Sequence, residues 1–122
     1  EELFQDFLSQ LNFQDDCEIS ILYCDNDKIQ QLNRDFRKKD YATDVLSFPS
    51  EMDYFLGDIA ISLEKAKEQA TGTFEDEVEM LLCHGLLHLM GYDHENSEED
   101  YEEMMGLQQK LLANKTKGIK LK

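Results

Sequence analysis

Proline is almost missing from this chain: Pro49 is the only one in 122 residues. There is also no Gly/Ser/Pro-rich stretch, internal repeat or low-complexity segment, which excludes a repeat array and a linker between domains. One domain over residues 1–122 is expected. No apolar run is long enough to span a bilayer, so no membrane partner is expected. The chain opens on Glu1 and Glu2 instead of a basic segment followed by an apolar one. No leader is therefore expected, and the missing initial Met points to a start inside a longer product. Cysteine is scarce and odd in number: Cys17, Cys24 and Cys83, with no Cys-x-x-Cys. That excludes a disulfide framework and indicates a reducing compartment, hence a cytoplasmic location. Positive charge is also in short supply. Twelve Lys and Arg face 27 Asp and Glu, a net charge of −15, which argues against a general appetite for nucleic acid and against DNA in particular.

The few cations are clustered. Arg34, Arg37, Lys38 and Lys39 stand together, and Lys110, Lys115, Lys117, Lys120 and Lys122 crowd the end. A locally basic surface on an acidic body follows from that distribution. Residues 114–122 are expected to form a mobile basic tail. Its lysines are candidates for holding an RNA or ribosome backbone.

Apolar spacing divides the chain into elements. Leu3, Phe4, Phe7, Leu8 and Leu11 have helical spacing, whereas the β-branched and aromatic run Cys17 to Cys24 reads as a strand. Asp25 or Asn26 caps a helix that reaches Phe36, with Ile29, Leu32 and Phe36 on one face. Val45 to Phe48 and Leu56 to Ile61 are short strands, and Pro49 ends the first. Ser62 caps a helix that Gly72 breaks, and Thr73 with Asp76 three residues on resembles a capping box for the next. That next helix is nearly all apolar from Val78 to Met90, so it belongs in the middle of the domain, with Gly91 to stop it. A last amphipathic helix carries Met104, Met105, Leu107, Leu111 and Leu112, and the acids of Glu95 to Glu103 suit its solvated first turn. Few strands interspersed with helices imply an α+β fold, a small mixed β-sheet covered by helices.

All three histidines fall within eleven residues, His84 to His94. His84 and His88 are four apart on the apolar helix, so their rings leave one face a turn apart. Gly91 permits a sharp turn that lets His94 fold back as a third ligand. Three neutral imidazoles suit one zinc ion, with other transition metals as alternatives. Three protein ligands leave a position open for a water, which becomes acidic enough to attack as hydroxide. The plainer reading, three histidines without a metal, fits poorly with two of them on so apolar a helix. In peptidases of the zincin type, His-Glu-x-x-His also supplies a general base; here Gly85 stands in place of that Glu, which makes a peptidase the weaker alternative.

His84-Gly85-Leu86-Leu87-His88-Leu89-Met90-Gly91-Tyr92-Asp93-His94 resembles the hallmark of the YbeY-type rRNA-maturation endoribonucleases, His-Gly-x-Leu-His-Leu-x-Gly-Tyr-Asp-His, at every specified position. Leu32-Asn33, Phe36-Arg37 and Thr43-Asp44-Val45-Leu46-Ser47-Phe48-Pro49 match a second family segment, and Leu56-Gly57-Asp58-Ile59 with Ile61-Ser62 a third. The resemblance implies a zincin-like α+β fold with a buried central metal-binding helix. It implies a zinc ion on His84, His88 and His94, and a single-strand-specific, metal-dependent endoribonuclease acting in rRNA maturation and ribosome quality control. Its proposed catalytic arginine falls on Arg37, and its expected partners are rRNA and ribosome-associated proteins. Family members usually open with a short strand that this chain does not show.

Phosphodiester cleavage loads charge onto phosphoryl oxygens. A metal-activated water as nucleophile, the ion as Lewis acid and Arg37 as phosphate clamp would serve it. Arg37 has a rival reading as an ordinary surface ion pair with Asp35 or Asp40. Asp93 either orients an imidazole or caps the turn after Gly91. Asp44 and Asp58 either reach the histidines or fix loops, the duller reading being favoured. Tyr92 is expected to pack, and Cys83 to be a buried thiol. A ribosome-assembly factor with a structural metal remains the third functional class.

Overall fold

The computed structural model describes the chain apart from residues 1, 14–16, 53, 93–96 and 120–122. Five helices and three strands alternate in the order α1 (Glu2–Gln10), β1 (Glu18–Cys24), α2 (Asn26–Arg37), β2 (Val45–Pro49), β3 (Phe55–Ser62), α3 (Leu63–Gln69), α4 (Phe74–Leu89) and α5 (Glu98–Asn114). The α+β expectation holds, and each expected element is present within a few residues of its expected ends. The reason lies in the caps. Asp25, Ser62, Thr73 and Ser97 each accept the N–H of the residue three further on, which satisfies a donor that the first helical turn leaves unbonded.

The sheet has the order β1-β3-β2, with β1 parallel and β2 antiparallel to β3. As the central strand, β3 is paired on both edges, and its side chains alternate between two packed faces. Ile59 and Ile61 point to the larger core of α1, α4 and α5, with Phe7, Leu82, Leu86 and Met104. Ala60 points to a smaller cluster with Ile29 of α2 and Leu46. The result is three layers: α2, the sheet, then α4 with its neighbours.

Helix α4 is central, as expected. Leu81, Leu82, Leu86 and Leu87 are all buried, and each such side chain contributes roughly 1.5–3 kcal/mol of burial free energy. The helix lies close to the sheet because position 85 is glycine. A Cβ there would stand 2.9 Å from Ile59 Cγ2 and 3.2 Å from Ser47 Oγ.

Two expectations meet a different arrangement. Phe36, on the helix face of Ile29 and Leu32, lies at its exposed end: it is 68% exposed, its ring edge-on to Phe48 at 5.5 Å. The last turn of α2 reaches the edge strand β2 there. Residues 115–119 of the expected tail are tied to the body. Asp6 Oδ2 accepts from the N–H groups of Thr116 (2.6 Å) and Lys117 (3.1 Å), and Glu79 Oε2 accepts from Ile119 N–H at 2.8 Å. The ammonium of Lys115 lies 3.0 Å from Glu79 Oε1, an oxygen with no other partner. Lys115 is thus engaged by a buried carboxylate and not directed at an outside phosphate. No helix among the described residues is long and apolar enough to cross a membrane.

Candidate metal centre and its cleft

His84 and His88 project from α4, half-buried, into a cleft of about 490 Å³. Their rings meet edge-on with centroids 4.7 Å apart, and the two Nε2 atoms converge to 3.1 Å. Gln108 of α5 fixes the chemistry of that contact. Its Oε1 lies 3.0 Å from His84 Nδ1. An amide oxygen only accepts, so His84 Nδ1 donates to it, and Nε2 is the ring nitrogen turned toward His88. Two imidazole nitrogens on a tetrahedral zinc, each about 2.0–2.1 Å from the ion, stand about 3.3 Å apart. The observed spacing and the Gln108 hydrogen bond, the usual orienting partner of a ligating histidine, therefore fit a metal pair.

The helix ends in a sharp turn. Gly91 takes a φ of +98°, and Tyr92 N–H donates to Leu87 O at 3.0 Å, closing the last turn. His94 and Asp93 lie beyond, outside the described residues. Among the described residues no group of three His, Cys, Asp or Glu is placed to hold an ion. Tyr92 both packs on the core and lines the cleft.

Arg37 arrives from the other wall. It lines the same cleft as the two histidines, although it stands at the end of α2, on the far layer. The carboxylates expected to compete for it are taken by its neighbour: Arg34 lies 3.6 Å from Asp35 and 3.7 Å from Asp40. Among the described residues no carboxylate pairs with the exposed Arg37 guanidinium. The charged groups on the described cleft wall are Arg37, Lys39 and Asp44. Both Asp44 oxygens are in use, Oδ2 accepting from Gln69 Nε2 at 3.0 Å and Oδ1 from Thr43 Oγ1 at 3.4 Å. That is the loop-fixing role. Asp58 is exposed and shares the face of Ala60, opposite the one α4 covers, so it does not approach the histidines. Cys83 is buried, and burial pushes its thiol up to about 12, which keeps it protonated and a poor ligand.

The glycine in place of the zincin glutamate now has a steric reason. Position 85 faces Ile59 and Ser47, and Ser47 Oγ donates to Gly85 O at 3.1 Å, pinning β2 to α4 beside His84. No carboxylate could stand there. Three contributors escaped the sequence reading: Gln108, Ser47 and the loop that carries Tyr41. Gln108 left a signal, being a polar residue four after Met104 and three before Leu111 on an apolar stripe, and Ser47 stands inside the second family segment.

A family model described as endoribonuclease YbeY matches residues 1–116. An endoribonuclease YbeY of Sulfurihydrogenibium sp. is 46% identical over 94% of this chain and 80% of the relative. One from Bacillus cereus is 43% identical over 83% of this chain and 74% of the relative. The solution structure of TM1509 from Thermotoga maritima superposes with a TM-score of 0.62 at 33% identity, covering 90% of this chain and 76% of that one.

Proposed function

The chain belongs to the endoribonuclease YbeY family, and from that premise we propose that it cuts single-stranded RNA, as a single domain over residues 1–122, with one metal ion held by His84, His88 and His94. The observation that carries the proposal is the meeting, in one cleft, of two histidine nitrogens 3.1 Å apart with an arginine that has no carboxylate partner among the described residues. The chemistry a bound divalent ion supplies is a more acidic water and a polarised phosphoryl oxygen. Zinc suits the imidazole donors.

The protein's own groups do the rest. Arg37 offers a planar, permanently charged fork to the phosphate and gains as charge builds on its oxygens. Gln108 holds the His84 ring by Nδ1–H, so Nε2 stays a donor toward the ion. Ser47 fixes the spacing between the α4 and β2 walls. Lys39 adds a second cation where the substrate backbone would run. In this reading the substrate is ribosomal RNA, met in the cytoplasm with ribosome-associated partners, and family membership supports it.

The test is RNA cleavage by the metal-replete protein beside His88→Ala and Arg37→Ala prepared identically. Cleavage by the parent, with both variants folded and silent, is expected. Equal cleavage by all three would assign the activity to a contaminating nuclease and move the ribosome-assembly reading forward.

A further inference from the structure

Tyr41 is 53% exposed and lines the cleft with Arg37, Lys39 and the two histidines. It stands on a loop that is clamped. Asn33, 2% exposed, donates from Nδ2 to Tyr41 O at 3.0 Å and accepts Lys39 N–H on its own carbonyl at 3.2 Å. Between those two anchors, Asp40 Oδ1 accepts from Gln30 Nε2 at 3.0 Å and faces Arg34 at 3.7 Å. A ring needed for folding would be buried. Among the described residues the Tyr41 ring has no aromatic partner and its hydroxyl no hydrogen bond. An aromatic face open to solvent, in the same cleft as two cations, suits a nucleobase flanked by phosphates. Stacking uses the face of any base, while the cations take the backbone.

We propose that Tyr41 is a specificity-determining residue that stacks on the nucleobase beside the phosphodiester held by Arg37, and so makes the cleft select unpaired RNA. A base inside a duplex already has both faces covered, and presenting one to Tyr41 would require unstacking it. The inference rests on the endoribonuclease reading, and its test separates the two.

The zinc-loaded full chain is compared with Tyr41→Phe and Tyr41→Leu on a single-stranded RNA and on the same sequence in a duplex. Tyr41→Phe should cut as the parent does. Tyr41→Leu should show a KM for the single strand raised roughly tenfold with kcat little changed, and a smaller preference over duplex. The sequence contains no tryptophan, so Tyr41→Trp installs a single reporter. Its emission, read on mixing and before cleavage, should be quenched by the single strand and not by the duplex. Parent-like KM in Tyr41→Leu, an equal loss in Tyr41→Phe, or emission unmoved at RNA concentrations that saturate binding would each overturn the stacking role while leaving the endoribonuclease reading intact. A parent that neither binds nor cuts RNA would remove that reading and this inference together.

Discussion

Helix α4 turns polar side chains inward at two places, and the protein treats them in opposite ways. In its first half Glu79, 4% exposed, is closed off: one oxygen holds the Lys115 ammonium and the other the Ile119 N–H. In its last half His84 and His88 direct nitrogens at each other across 3.1 Å, beside an arginine whose nearby carboxylates belong to Arg34. A buried charge that serves folding must be saturated, because each unmet atom carries its full desolvation cost. A site that serves chemistry keeps donor capacity for something outside the chain. The same contrast separates Arg34 from Arg37, three residues apart on α2.

The largest effect that would sharpen this contrast lies at the open end. Arg37→Ala should lower RNA cleavage by about 10²–10³-fold, as expected for removing one charge-stabilising donor. Its urea midpoint should stay with the parent, since the guanidinium is exposed and holds no described partner. Arg34→Ala should do little to either, an exposed pair being worth about 0–1 kcal/mol. A stability loss in Arg37→Ala matched by an activity loss in Arg34→Ala would break the distinction.

Next comes the closed end. Lys115→Ala leaves Glu79 Oε1 buried without a counter-charge and should cost about 2–3 kcal/mol in urea denaturation. Cleavage per folded molecule should be unaffected. If Glu79→Gln, which removes the charge instead, restores most of that stability in the Lys115→Ala background, then the uncompensated charge and not lost packing is the cause.

Gln108→Leu tests whether the open end is oriented from behind. It keeps the volume between α4 and α5 and removes the acceptor on His84 Nδ1. Zinc affinity, measured by competition with a chelator, should fall about tenfold or somewhat more. Unchanged affinity would make Gln108 a packing residue only.

The smallest effect is at Asp6. Burial pushes its carboxyl upward, but hydrogen bonds from Thr116 N–H, Lys117 N–H, Gln10 and the Thr116 hydroxyl outweigh it and hold the group below its ordinary value of 3.8. A carboxyl lowered by folding contributes stability that is complete above that ordinary value and lost as pH falls through the folded one. The protection of amides 116 and 117, measured against their intrinsic exchange rates, should therefore fall only below about pH 4. In Asp6→Ala, which removes the acceptor, their protection should be lost at neutral pH as well, and equal protection in the two proteins would show that residues 115–119 are held by Glu79 alone.

Much of the outline was legible in the residues themselves. Helix starts followed from Asp25, Ser62 and Thr73, because a cap is a contact within three residues. The strands followed from alternation, and the histidine pair from its four-residue spacing, because one helical turn brings those rings together whatever surrounds the helix. Family resemblance placed Arg37 at the site, but nothing in its own segment distinguished it from a surface ion pair. The exposure of Phe36 was not legible, because helical spacing says which residues share a face and not how much of that face is covered. Gln108 on His84, Ser47 on Gly85, Lys115 on Glu79 and the approach of Ile59 that requires Gly85 all belong to the tertiary structure. Each joins residues far apart in sequence, and such pairs are fixed by how the layers pack, to within tenths of an ångström, and not by any local periodicity.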